Sequence, residues 1–283
     1  MRLGATPNLI VTPNGKDDLP SQIDAAVAAG LNALNVRLRD LSTDNAYLEN
    51  AAAYAAKKDV MLVGFGTGAN FYLTGAEADA QHERLTELIL RARKHLGLTI
   101  VGTPPGPMSM QRWAPGPPLG ERKARVAANL RRLGAAVQSS GVTLALENHC
   151  DWRGHEVADI IVRAGQANLG VQIDTGNAFS VFEEPVECAR ALAPYIVSSH
   201  FKDVLCTPFA TGPARGSRVT SVPLGQGSTD NRTICDIIVR ETPNGRSIPL
   251  LIEPFYLDDD QSPREFLAAS VRWAKENLAE YLD

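Results

Sequence analysis

The sequence has no excess of basic charge. Its 28 Lys and Arg stand against 32 Asp and Glu, a formal net charge of −4. That balance speaks against the basic stripe with which nucleic-acid binders meet phosphates. Cysteine is scarce: Cys150, Cys188, Cys206 and Cys235 are the four present, and none forms a CxxC pair. Their spacing fits neither a zinc knuckle nor a disulfide framework, so a reducing, cytoplasmic setting is expected. No run of about 18 apolar residues occurs, so no membrane-spanning helix is expected. The opening MRLGATPNLIVTPNGKDD lacks a basic segment followed by an apolar one, so no signal peptide is expected either. There is no GxGxxG after the first apolar run and no Walker A motif, which removes the commonest dinucleotide and nucleotide readings.

What is present is a rhythm. Short apolar runs recur at ALNVRL (33–38), VMLVGFG (60–66), LTIVGT (98–103), VTLALEN (142–148), LGVQID (169–174), YIVSSHF (195–201) and IPLLIEPF (248–255). They read as strands buried on both faces, as in a parallel sheet, with RLGAT near the N-terminus as an eighth. Amphipathic segments fall between them, at 18–29, 43–58, 75–96, 120–140, 154–165, 183–193, 229–240 and 263–281. Ser42 or Thr43 is the expected cap of the second and Ser262-Pro263 of the last, while Gly30, Gly141 and Gly165 sit where helices should end. Strand–helix alternation without a break in composition suits a (β/α)8 barrel or an open doubly wound sheet. The missing nucleotide motifs favour the first, a single (β/α)8 TIM barrel domain over 1–283. Two long loops, 102–120 and 203–227, follow strands and would lie at the C-terminal mouth, where such barrels build their sites.

Four runs end on polar groups: Glu147 in LALENH, Asp174 in VQIDTGN, His200 in SSHFKD and Glu253 in LLIEPF. Any one has a plain structural reading; Asp174 before Thr-Gly-Asn could cap the next turn, and His200 could be a hydrogen-bonded core histidine. Four strands each delivering a ligand at the same end point instead to a shared cation. Three carboxylates brought together repel one another and resist burial, and a divalent cation relieves both penalties. Two Glu, one Asp and one His make a three-oxygen, one-nitrogen set. Mn²⁺ is the cation it favours, with Mg²⁺, Co²⁺ and Zn²⁺ as alternatives.

At these residues the chain resembles the sugar phosphate isomerase/epimerase family of xylose isomerase-like TIM barrels. The resemblance runs from LALENH through VQIDTGN, SSHFKD and PLGQG to LIEPF. It implies that Glu147, Asp174, His200 and Glu253 hold one metal and that Glu147 and Glu253 act as the acid/base pair. Two positions depart from the ketose 3-epimerase pattern: Asn177 stands where many carry His, and Cys206 where they carry Arg. The HxKD form, His200-Phe201-Lys202-Asp203, looks more like the dehydratase and miscellaneous isomerase branches.

The expected activity is a metal-dependent isomerase or epimerase of a small sugar, keto-sugar or sugar acid, through a metal-stabilised enediolate. The alternative is a lyase, dehydratase or decarboxylase, on a keto-sugar or keto-acid at the same metal. A nuclease would need ligands that the first four strands do not offer, and a non-catalytic barrel would be expected to lose one of the four. The partner expected is a small carbohydrate, with self-association through outer helices also expected. Candidate substrate-binding residues are His149, which shares a strand face with Glu147, Lys202, Asn177 and, in the first long loop, Trp113. Arg37 and Arg39 at the end of the second run are candidates for anion binding. Each has a structural alternative: an ion pair for Lys202, a backbone hydrogen bond for Asn177, loop packing for Trp113.

Overall fold

The computed structural model describes residues 1–13, 15–209 and 216–283. Eight parallel strands close into a barrel: β1 (Leu3–Ala5), β2 (Ala33–Arg37), β3 (Met61–Phe65), β4 (Ile100–Thr103), β5 (Thr143–Glu147), β6 (Leu169–Asp174), β7 (Ile196–Phe201) and, after an inserted hairpin, β10 (Leu250–Ile252). The hairpin is β8 (Asp203–Pro208) paired antiparallel with β9 (Ser217–Val222). Helices α1 (Leu19–Ala28), α2 (Asn45–Lys57), α3 (Gly75–Leu96), α4 (Leu119–Val137), α5 (Gly154–Ala164), α6 (Pro185–Leu192), α7 (Asn231–Glu241) and α8 (Pro263–Asn277) follow the barrel strands in turn. The alternation read from the sequence is thus a closed barrel.

Apolar packing is divided between two layers. The larger core lies between strands and helices, and includes Leu34, Val101, Leu144, Val171, Leu85, Leu130 and Ile160. A small cluster, Ala33, Val63 and Leu251 with Met61 and Ile100 beside it, fills the barrel itself. Alternation along the strands sets what lies above that cluster. From Ala33 the inward face of β2 continues to Asn35 and Arg37; β6 offers Gln172 and Asp174; β7 offers Ser198 and His200. The interior is therefore apolar at one end, amide-lined in the middle and charged at the mouth.

Local chemistry explains most helix boundaries. Asp18 caps α1 by accepting from the Ser21 N–H at 2.9 Å, and Ser262 caps α8 by accepting from Glu265 at 3.4 Å. At α2 the cap is Asp44, accepting from Ala46 and Tyr47, rather than Ser42 or Thr43. Gly30, Gly141 and Gly165 all take positive φ where the chain leaves a helical turn. The segment 203–227, read as a loop, holds the β8–β9 hairpin. Its flanks, DVLCTP and SRVTSV, carry no clear two-residue alternation and surround a Pro- and Gly-rich centre, so the sequence gives no strand signal there. Residues 210–215 of that segment lie outside the described residues.

Candidate metal centre

Strand register brings the polar strand ends together. Asp174 and His200 are direct partners across β6 and β7, and His200 pairs with Leu251 of β10, two residues before Glu253. Glu147 pairs with Gln172, one inward step below Asp174. One ligand-competent atom each from Glu147, Asp174, His200 and Glu253 lies within 4.8 Å of the other three. All four predicted ligands therefore share one site at the C-terminal mouth.

Each ligand is held by its own partners. His200 Nε2 lies 3.0 Å from Asn35 Oδ1, and Asn35 Nδ2 donates to the Val63 carbonyl at 3.1 Å. The amide orientation leaves Asn35 Oδ1 as an acceptor, so Nε2 carries the proton. Nδ1 then faces the carboxylates, 2.7 Å from Glu253 Oε2, with Gln172 Nε2 at 3.3 Å. Asp174 Oδ1 accepts the backbone N–H groups of Gly176 and Asn177 at 3.1 and 3.2 Å. Asn148 clamps the same strand end, donating to the Asp174 carbonyl at 2.9 Å and accepting its N–H at 2.6 Å. Asn35 and Gln172 gave no sequence signal that was read as functional. The signal was there: a lone amide in the apolar runs ALNVRL and LGVQID.

Lys202 is committed to the cluster. Its Nζ lies 2.6 Å from Asp174 Oδ2 and 3.1 Å from Glu253 Oε2, over the Phe255 ring at 4.5 Å. These are the contacts of an ion pair with the carboxylate cluster, while the residue also borders the cavity. Asn177, fully buried, links Glu147 to Lys202: Nδ2 donates to Glu147 Oε1 at 3.1 Å and Oδ1 accepts from Lys202 Nζ at 3.4 Å. It lies beneath the carboxylates rather than in the cavity wall. Asp203 turns away and gathers N–H groups of Val204, Gly225, Gly227 and Thr229, which fixes the base of the inserted segment.

Electrostatics follow from this packing. Burial pushes the Asp174 carboxyl up to about 6, with Lys202 opposing the rise and Glu147 and Glu253 adding to it. Burial also works against ionised Glu253, but His200 and Lys202 overcome it and hold Glu253 well below the usual carboxylate range. The carboxylates of Glu253, Glu147 and Asp174 outweigh the burial of the His200 ring and raise it.

Above the cluster a cavity of 570 Å³ opens, walled by Glu147, His149, His200, Lys202 and Glu253, together with Gln111, Ser180, Phe65, Arg37 and Arg39. His149 thus sits with the quartet, its Nδ1 3.6 Å from Asp151 Oδ2. Burial opposes its protonation, but Asp151 and Glu147 raise it above its ordinary value. Trp113 is not in this wall. It is 57% exposed, donates to the Ser180 carbonyl at 3.1 Å and packs on Phe182 at 5.5 Å. Its place matches the loop-packing alternative; Met108 and Gln111 of the same loop reach the cavity instead.

Known proteins share this architecture. A family profile described as "Xylose isomerase-like TIM barrel" matches residues 23–277. A segment of 68 residues is 31% identical to the uncharacterized protein YihM of Escherichia coli K12, covering 24% of this chain and 21% of that protein. The structure of D-psicose 3-epimerase with D-tagatose from Clostridium cellulolyticum H10 superposes with a TM-score of 0.77 at 14% identity, over 98% of this chain and 99% of that one. A xylose isomerase-like TIM barrel protein from Mycobacterium smegmatis in complex with magnesium gives 0.73 at 16% identity, over 100% and 98%. Among the described residues no helix is long and apolar enough to cross a membrane.

Proposed function

Because the chain belongs to the xylose isomerase-like TIM barrel family, we propose that it is a divalent-metal-dependent epimerase or isomerase of a small keto-sugar or sugar acid, acting through an enediolate. The observation that carries this reading is the convergence of Glu147, Asp174, His200 and Glu253 within 4.8 Å under an open cavity.

The residues fit a cation. Three carboxylates face two positive groups, Lys202 and a protonated His200, so the cluster keeps a negative charge even when both are counted. With Nε2 tied to Asn35, His200 can present the Nδ1 lone pair once its proton is displaced. Glu147, Asp174, His200 Nδ1 and Glu253 would hold the ion, and the oxygen-rich set suits Mn²⁺ or Mg²⁺. Such an ion supplies positive charge that acidifies the C–H beside a carbonyl.

The remaining chemistry belongs to the side chains. Glu147 at the end of β5 and Glu253 beyond β10 flank the cluster from two sides. One removes the proton beside the carbonyl, and the other returns it. Return to the opposite face of the same carbon epimerises, and return to the neighbouring carbon exchanges ketose for aldose. His149, beside Asp151 and in the cavity wall, is placed to reach a substrate hydroxyl. Nothing in the geometry favours the lyase outcome over this one. The test is proton NMR in D₂O with Mn²⁺- or Mg²⁺-loaded protein and a panel of ketoses and keto-acids. Deuterium appearing beside the carbonyl, with every atom of the sugar retained, supports the reading. Release of water or CO₂, or no exchange on any member, refutes it.

A further inference from the structure

With Lys202 committed to Asp174 and Glu253 and His200 to the same carboxylates, the other basic residues lining the cavity, among those described, are Arg37, Arg39 and His149. Arg37 ends β2, three strands round the barrel from Glu147 on β5 and two from Glu253 beyond β10. Asn35 on the inner face of β2 already touches His200, and Arg37 is the next inward step toward solvent. Its guanidinium carbon sits 5.5 Å from the Phe65 ring centre, and that ring meets the His200 imidazole edge-on at 6.0 Å. The guanidinium is thus no farther from the imidazole than those two steps together. Gly66, at φ +62°, lets the arginine stem lie across the end of β3, since a Cβ there would come within 3.3 Å of Arg37 Cγ.

The charge at this rim is incompletely matched. Asp40 Oδ2 lies 3.9 Å from Arg37 Nη1 and 3.5 Å from Arg39 Nε, so one carboxylate stands between two guanidinium groups. At 3.9 Å the Arg37 contact is an ion pair without a hydrogen bond, so among the described residues its planar fork has no hydrogen-bonded partner. Arg37 also borders a neighbouring cavity that contains Asp17, Asp18 and Asp44. Asp18 and Asp44 there are occupied as helix caps.

We infer that Arg37 and Arg39 form a subsite for an anionic end group, so that the sugar acted on carries a carboxylate or a phosphate at the end remote from its reacting carbonyl. This rests on the isomerase reading for the position of the carbonyl. A guanidinium fork matches both anions in two-point fashion, and a positive rim over a cavity draws anionic substrate inward.

The test is calorimetric titration of Mg²⁺-loaded protein with D-fructose, D-fructose 6-phosphate and D-fructuronate, in wild type, Arg37→Met and Arg39→Gln, with melting temperatures recorded for each. The expected result is that one anionic ligand binds at least about tenfold more tightly than D-fructose, the scale of one charged hydrogen-bonded contact. Which of the two does so identifies the anion. In Arg37→Met that ratio falls to within about threefold, and Arg39→Gln reduces it in part. The inference is overturned if D-fructose binds as well as both anions, if the preference survives in Arg37→Met, or if none of the three binds. Deuterium exchange on the same ligands separates the two claims. Exchange without anion preference leaves the isomerase and removes the subsite; anion preference without exchange does the reverse.

Discussion

Lys202 shows how a single residue balances the centre. Its ammonium group bridges Asp174 and Glu253 in a buried setting, so its removal leaves carboxylates facing one another without that counter-charge. Lys202→Met is expected to destabilise the chelator-treated protein by about 3–5 kcal/mol. Added Mn²⁺ should restore more stability to this variant than to wild type. Paired melting curves with and without metal check this, and equal metal-induced shifts would contradict it. Glu147→Gln and Glu253→Gln keep the shape of the site but remove the proton acceptors. Each is expected to lower the exchange rate by about 10²–10⁴-fold, the usual scale of a general base. Residue identity carried much of this in advance: the quartet was legible because each member ended an apolar run. The sites of Asn177 and Trp113 were not, because a loop side chain's direction depends on backbone that no period describes. Asn177 went under the carboxylates, and Trp113 onto Phe182.

Elements position these residues through close approaches that leave little room for change. A Cβ at Gly102 of β4 would lie 2.0 Å from Gln172 Oε1, and Gln172 is the amide beside His200. Gly102→Ala is expected to cost about 1–3 kcal/mol by overpacking. It should also weaken metal affinity, because displacement of Gln172 frees the imidazole to turn; chemical denaturation and a metal titration read the two effects. At the start of α5, Glu156 accepts from the Arg153 N–H at 2.9 Å and from Arg112 Nη1 at 2.6 Å. Burial raises this carboxyl, but Arg112 and the Arg153 N–H outweigh it and hold it below its ordinary 4.5. A depressed carboxylate stabilises the fold above its ordinary pKa, and that stability is lost as pH falls through the folded value. Glu156→Gln is therefore expected to lose about 1 kcal/mol at pH 7, with the gap to wild type closing at pH below 4.5. A constant gap across pH would show that the charge is irrelevant. The strands and helices were legible from period and caps. The hairpin was not, since two short segments without clear alternation around a Pro- and Gly-rich centre look like loop until they pair.

At the scale of the molecule, the barrel separates stability from chemistry. Apolar side chains fill one end of the interior and the helix–strand interface, while the charged groups gather at the other end. Strand runs alone look alike in a barrel and in an open sheet, so closure was legible through the missing nucleotide motifs and the family resemblance; β1 pairing with both β2 and β10 bears it out. That closure brings β2 and β10 near β7 and so places Asn35 and Glu253 on two sides of His200. The measurement that bears most directly on the account is a titration of chelator-treated protein with Mn²⁺, followed by electron paramagnetic resonance, in wild type and in Asp174→Asn. The account predicts one tightly bound ion per chain and its loss, or at least a large weakening, in the variant while the fold persists. No bound ion in folded wild type, or undiminished binding in Asp174→Asn, would contradict it.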